Sequence, residues 1–292
     1  MLRAYKGNPM TIELFAQVFI NGLQRGMIFV LVASGLVLIL GVAKIFNFAH
    51  GEFYMLGGYV VFFATSIAGL HYALGLILAM IALGFLGSIT YTTVFRQVRG
   101  NILLGAAATM GISMILRQGA LVVFGALQKG VPSIFPGRVV VLGVSISVQK
   151  VVIIGLSLFI MLALYVFLMK TRLGKAIRAV IADEEVASVQ GIDVNRIYLI
   201  TVIIASALAG LAGAMMAPVY AVFPDMGIAM IFIILLVMMV GGLESLAGAA
   251  LAGLALGLLL SFGYQLIGVY NEVVIFLIVA IFLLLRPQGL FG

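Results

Sequence analysis

Residues 53–95 read FYMLGGYVVFFATSIAGLHYALGLILAMIALGFLGSITYTTVF and contain no Asp, Glu, Lys or Arg. A bilayer core takes about 20 helical residues, so this run is too long for one span. We divide it at residues 69–72, around His71, into two antiparallel helices. The sequence therefore predicts a protein that folds inside a lipid bilayer.

Composition supports the same interpretation, because the chain is 65% hydrophobic and only 9% charged. Soluble domains carry about 25% charged residues, so a water-soluble fold is excluded. The net charge of +7 is expected in cytoplasmic loops rather than on a nucleic-acid-binding face. The absence of cysteine excludes disulfides and thiolate metal sites.

Further apolar stretches complete a single transmembrane permease domain over residues 1–292 with about eight helical spans. They cover residues 26–43, 100–124, 151–169, 197–220, 226–243, 245–267 and 269–285, so that nine apolar stretches, counting the two helices of residues 53–95, are available for the spans. Residues 11–23 are too short to span and are amphipathic, which favours a helix in the membrane interface; an additional span is the alternative. Residues 124–150 alternate valine and isoleucine with small residues, which predicts a short extracytoplasmic strand or hairpin. The predicted fold class is an all-α polytopic membrane protein.

The longest polar stretch between spans, residues 171–196, orients the chain. It is rich in lysine and arginine, which places it in the cytoplasm. The C-terminus is then expected in the cytoplasm, and nine crossings would put the N-terminus outside. Arg3, Lys6, Lys129 and Arg138 fall on the outer side against the rule, but the large basic loop outweighs them.

This stretch reads TRLGKAIRAVIADEEVASVQGIDVNR and predicts a cytoplasmic elbow of two helices. The first is basic and amphipathic. Asp183, Glu184 and Glu185 suit the N-terminus of the second because they complement the helix dipole. Gly191 is placed to end it, and its small apolar surface is formed by Val186, Ala187 and Val189. We interpret the elbow as a docking surface for another protein; a solvated linker is the alternative.

Glycines at helical spacing mark close helix contacts, which drive association in lipid. Gly210 and Gly213 lie in one span, and Gly253 and Gly257 in another. We expect them to pack within the chain, although one face is also suited to a partner subunit.

Charged side chains inside a bilayer usually mark function. The sequence offers no convincing carboxylate at mid-membrane depth, since Glu52 and the other acids lie near predicted span ends, and Arg117 is expected to snorkel outward. This argues that another subunit supplies the energy for any transport. No catalytic residues, metal ligands, cofactor site or P-loop are visible, so the chain is not expected to be an enzyme or to bind ATP itself.

Four segments carry a resemblance to a known family. EVASVQG at 185–191 resembles the Glu-Ala-Ala…Gly coupling motif of ABC importer permeases, with Val186 in place of the first alanine. GVAKIFNFAHGEFYMLGGY at 41–59, the Pro-Asp-Met-Gly and Gly-Gly-Leu-x-Ser-x-x-Gly-Ala segments within 218–257, and RPQGLFG at 286–292 resemble branched-chain amino-acid (LIV-type, H-subunit-like) permeases. Glu244 stands where that family commonly has glycine.

The resemblance implies a permease subunit of an ATP-binding-cassette importer in the plasma (inner) membrane. It implies translocation of leucine, isoleucine or valine delivered by an extracytoplasmic solute-binding protein, together with a second related permease and two ATPase subunits that bind the ATP. The ATPase-coupling role falls on Asp183, Glu184, Glu185, Val186, Ala187 and Gly191. Alternatives are a urea or short-amide permease, an ATP-independent channel or secondary carrier, and a membrane scaffold.

Asn47, His50 and Glu52 allow two interpretations. Asn47 is suited to cap a helix that begins at Phe48. His50 and Glu52 would then lie in the first turns of that helix, near the cytoplasmic mouth. There they either line the inner gate or hold the turn in place near the elbow.

Overall fold

The computed structural model describes residues 11–133, 135, 137–141 and 144–291 and is almost entirely helical. The helices are α1 (Ile12–Ala43), α2 (His50–Phe62), α3 (Tyr72–Thr90), α4 (Arg96–Val98), α5 (Ile102–Phe124), α6 (Val148–Lys170), α7 (Arg172–Ala182), α8 (Glu184–Val189), α9 (Val194–Met216), α10 (Met226–Gly241), α11 (Leu246–Ile267) and α12 (Asn271–Leu285). The π-helical segments Phe63–Ile67 and Tyr91–Phe95 extend α2 and α3, and a 3₁₀ turn, Gly268–Tyr270, joins α11 to α12.

The predicted all-α membrane fold is confirmed, and each predicted span falls on a helix. Within the described ranges, 6 helical stretches are long and apolar enough to cross a membrane. One of them, Leu246–Leu285, contains two predicted spans, because the chain turns at Gly268 (φ 57°) and α12 returns beside α10. α2 with its π-helical extension and α10 are the shorter remaining passes. The chain is a multi-pass membrane protein.

The first helix differs from the expected arrangement, because residues 11–23 do not form a separate helix. They are the first turns of α1, which runs unbroken for 32 residues, about 48 Å at 1.5 Å per residue. Gly22 and Gly26 let α11 approach so closely that an added Cβ on either would lie 2.9 Å from its backbone. Ser261 also donates a 2.7 Å hydrogen bond to the carbonyl of Val18. Packing on α11 therefore supports the helix where the sequence alone suggests a break.

Small residues bring the central helices α1 and α9 close to their neighbours. A Cβ on Gly213 would collide with the backbone of α2, and one on Gly210 with Leu83 of α3. Gly253 faces Val30, and Gly257 faces the backbone of α1. The four predicted packing glycines therefore all contact other helices of the same chain, as small residues do in membrane bundles.

The two ends of the bundle differ in structure and charge. At one, here named the hairpin end, β1 (Arg138–Val141) pairs antiparallel with β2 (Val144–Ser147), which confirms the predicted hairpin. Val148 begins α6 instead of continuing the strand. Paired backbone hydrogen bonds between Lys129 and Val222 tie this loop to the loop before α10. The other, here named the basic end, carries α7, α8 and the cations Lys44, Arg96, Arg99, Lys170, Arg172, Lys175, Arg178, Arg196 and Arg286.

Candidate functional site

The chain turns back into the bundle immediately after α1. Lys44 ends that helix in the left-handed conformation (φ 52°), and residues 45–49 are not helical. Ile45 lies against Gly105 near the start of α5. One turn farther along α5, Thr109 donates a 2.8 Å hydrogen bond to the carbonyl of Phe46 and accepts one of 3.2 Å from the amide of Phe48. Residues 45–49 therefore run along α5 towards the middle of the bundle.

Asn47 and His50 hold this re-entering segment in place. The Asn47 side chain accepts a 3.1 Å hydrogen bond from the Ala49 amide, so it closes the turn before α2. The helix itself begins at His50, not at Phe48 as expected. The fully buried His50 ring lies 3.0 Å from the carbonyl of Val32, roughly three turns, about 16 Å, before α1 ends. The expectation that His50 lies near the mouth and the elbow is therefore wrong.

Glu52 lies deeper in the bundle than its position in the sequence suggests. Its side chain is 1% exposed, and one carboxylate oxygen accepts a 3.0 Å hydrogen bond from Ser113 at the midpoint of α5. The other oxygen has no hydrogen-bond partner in the described part of the chain. Gly227 at the start of α10 lies against this carboxylate, with no room there for a Cβ. The expectation that no carboxylate lies at mid-membrane depth is therefore wrong.

Arg117 and Asp225 lie on the hairpin-end side of Glu52. Arg117 is one turn beyond Ser113 on the same face of α5, and its guanidinium is 3.9 Å from the carboxylate of Asp225. Asp225 is 73% exposed and Arg117 23% exposed. Arg117 therefore lies beside α10, on the hairpin-end side of the polar cluster that it forms with Glu52, Ser113 and Asp225. Sequence reasoning expected it only to snorkel outward.

An open cavity of about 1120 Å³ lies on the basic-end side of the same cluster. It separates α5 from α10 and is mostly apolar, with Phe46, Phe48, Ala106, Leu235 and Met239 among its lining residues. Ala106 precedes Ser113 by roughly two turns on α5, and Leu235 follows Gly227 by a similar distance on α10. The helix faces that line the cavity therefore lead to Glu52.

At the basic end, α7 and α8 form a short elbow, and local hydrogen bonds cap both ends of α8. The Asp183 carboxylate accepts a 3.0 Å hydrogen bond from the Val186 amide at the start of α8. Gly191 (φ 84°) ends the elbow, where the amide of Ile192 reaches the carbonyl of Ala187 over 3.1 Å. These bonds define both ends of α8 through residues close in sequence.

The exposed surface of α8 differs in one residue from the surface that the sequence predicts. Val189 is 89% exposed and Val186 51% exposed, whereas Ala187 is buried against the bundle. Glu185 is exposed beside them in the first turn. The free face of α8 therefore combines two valines with an acidic residue.

Side chains from the turn before α5 and from α9 anchor the elbow to the bundle. Arg99 forms an ion pair with Glu184 and donates a 2.9 Å hydrogen bond to the side chain of Asn195. The Tyr198 hydroxyl donates to the same Glu184 carboxylate over 2.7 Å, and the guanidinium lies 4.4 Å from the Tyr198 ring centre. Sequence reasoning missed this anchor, because the partners are far apart in the chain and only their predicted common side of the membrane links them.

Comparisons with known proteins agree with this architecture. A family model described as "Branched-chain amino acid transport system / permease component" matches residues 18–285. The high-affinity branched-chain amino acid transport system permease protein BraD of Pseudomonas aeruginosa is 32% identical over 95% of this chain and 96% of its own. LivH of Escherichia coli K12, a permease protein of the same described system, is 31% identical with the same coverage. The probable branched-chain amino acid transport permease protein LivH of Methanocaldococcus jannaschii is 28% identical over 90% of this chain and 88% of its own. No solved structure matches the chain.

Proposed function

The chain belongs to the family of branched-chain amino acid transport system permease components, and we propose that it is a membrane-spanning subunit of an ATP-driven importer of leucine, isoleucine and valine. The observation that carries the proposal is the match over 95% of the chain to relatives named for branched-chain amino acid transport. The match includes both the re-entering segment and the elbow.

The elbow supports a role in coupling to ATPase subunits, which we infer to be separate chains. A short capped helix with exposed Val186 and Val189 is suited to insert into a cleft of a soluble partner. Arg99 and Tyr198 hold the elbow against α9, so a displacement of α8 is transmitted to the membrane helices. We assign this coupling role to Asp183, Glu184, Glu185, Val186, Ala187 and Gly191.

The distribution of positive charge supports one orientation in the plasma (inner) membrane. Lysine and arginine flanking membrane spans are enriched in the cytoplasm, and the basic end carries most of them here. The C-terminus, the elbow and the cavity then face the cytoplasm. The N-terminus and the β-hairpin face outward.

The hairpin end is suited to receive a loaded solute-binding protein. A polar pocket of about 240 Å³ lies there between α1 and the hairpin, where Lys150 donates a 2.6 Å hydrogen bond to Asn21. Lys150 and Arg138 give the pocket positive charge. We infer that acidic side chains of the binding protein dock on this surface.

A second permease subunit would complete the pathway. The cavity between α5 and α10 is open along the side of the bundle, and α5 carries highly exposed apolar residues such as Leu103 and Val122. We propose that the related subunit covers this side. Closure of the ATPase dimer would then shift the population between outward-open and inward-open states through the elbow.

Glu52 changes one argument about the energy source. A buried carboxylate at mid-depth is a feature of proton- and ion-coupled carriers, so its supposed absence no longer counts against an ATP-independent carrier. The family match and the elbow carry the proposal instead.

Purification distinguishes an ATP-driven importer from an ATP-independent carrier. The tagged chain is isolated from its native host in mild detergent, and the proteins that accompany it are identified. Two ATPase subunits and a second permease are the expected companions. A chain recovered alone that transports leucine in liposomes without ATP would contradict the proposal.

A further inference from the structure

We propose that Glu52 and Arg117 bind the charged groups of the transported amino acid, with Glu52 taking its ammonium group and Arg117 its carboxylate. The inference rests on the proposed function and deepens it by naming a substrate-binding site within this subunit. The site lies between α5 and α10, about two helical turns from the residues of these helices that line the cavity.

The first observation is the unpaired oxygen of Glu52. A buried carboxylate is strongly disfavoured unless its oxygens find hydrogen-bond donors. Ser113 supplies one donor, and the second oxygen has none within the described residues. A bound ammonium group, with three donors, would satisfy it. Gly227 presses on the same carboxylate and holds it in the gap between the two helices.

The second observation is the loose pairing of Arg117. Its distance of 3.9 Å to Asp225 is longer than a charge-assisted hydrogen bond, which is about 2.7–2.9 Å. The Asp225 side chain is largely exposed. The guanidinium, with five donors in a fixed plane, therefore retains donors for a carboxylate.

The spacing suits one amino acid. Ser113 and Arg117 are neighbours on one face of α5, about 5–6 Å apart between Cβ atoms, so the two charged sites are within the reach of one α-amino acid. The apolar cavity, lined by Phe48, Leu235 and Met239, lies on the basic-end side of this site and offers an apolar exit path for a branched aliphatic side chain. Urea and short amides carry neither charge, so this site favours an amino acid over those alternatives.

The test uses the complete complex in proteoliposomes with saturating loaded binding protein, so that capture outside does not limit the rate. Glu52→Gln keeps the shape and the hydrogen bond from Ser113 but removes the charge. We expect ATP-driven leucine uptake to fall about tenfold or more, as for loss of a charge-assisted hydrogen bond, while binding-protein-stimulated ATP hydrolysis persists. Glu272→Gln, which replaces an exposed carboxylate on α12, is the matched control and should leave uptake unchanged.

The outcomes separate this inference from the proposed function. A wild-type complex that imports no branched-chain amino acid with ATP refutes the proposed function. A wild-type complex that imports leucine while Glu52→Gln does so equally well refutes the site alone. If the Glu52→Gln variant does not assemble, the test passes to Ser113→Ala and Arg117→Gln, which change partly exposed residues. We expect both variants to assemble and to lose leucine uptake. Unchanged uptake in both would overturn the inference.

Discussion

Ser113 donates a 3.0 Å hydrogen bond to Glu52 and so joins the midpoint of α5 to the first turn of α2. This contact puts the start of α2 inside the bundle, whereas its sequence position, shortly after Lys44, suggests the mouth. The polar residues of the re-entering segment are therefore packed among helices. Substitutions there should first affect folding or substrate binding rather than access from water.

His50→Ala should destabilise the protein. The ring is fully buried against Gly35 and contacts the carbonyl of Val32, so truncation leaves a cavity and costs about 2 kcal/mol or more. Thermal unfolding in detergent and the yield of assembled complex measure the effect. His71→Ala is the control, since His71 is an exposed cap of α3 whose loss costs about 1 kcal/mol. Normal stability and assembly of His50→Ala with impaired transport would instead support a gating role.

The ion pair between Arg99 and Glu184 should govern coupling. Arg99→Ala and Glu184→Ala should each raise the ATP hydrolysed per leucine imported by roughly two- to fivefold, the range for a partly exposed pair. The double variant should be no worse than either single one, because both changes break the same contact. Higher salt should reduce the difference in coupling between these variants and the wild type, because it screens the ion pair. Additive effects would show that the two side chains act separately.

Gly191 offers a test of elbow shape without any change in packing. Its φ of 84° disfavours a β-branched side chain, while no atom within 4 Å would meet a new Cβ. Gly191→Val should strain the end of α8 by about 1–2 kcal/mol and uncouple ATP hydrolysis from uptake. Gly191→Asn should stay close to wild type, since asparagine tolerates this conformation. Equal coupling in both variants would count against the assigned role of the elbow.

Gly257 tests the contact that keeps α1 continuous. A Cβ there would collide with the backbone of α1 at Gly26, so Gly257→Val should abolish recovery of folded protein. Gly155→Ala on α6 has no neighbour within 4 Å and should be neutral or stabilising by up to about 1 kcal/mol. Size-exclusion profiles recorded after heating compare the stability of the two variants. Folded Gly257→Val with normal stability would mean that the helices part more easily than their packing indicates.

Features set by residues close in sequence could be predicted, whereas the path of the chain through the folded bundle could not. The spans follow from charge-free runs because the bilayer excludes unpaired polar groups. The elbow follows from Asp183 and Gly191, which cap it through bonds to near neighbours. The depth of Glu52 depends on how residues 45–49 fold back along α5, and nothing in five loop-like residues specifies that path. The anchor of Arg99 on Glu184 likewise needs the packed bundle.

The central claim is that this chain transports branched-chain amino acids only when ATP drives it. The most direct measurement is uptake of labelled leucine by proteoliposomes that contain the purified complex and its binding protein. The account predicts accumulation that requires ATP on the side of the basic end and loaded binding protein on the side of the hairpin end. Leucine flux that proceeds equally without ATP would contradict it.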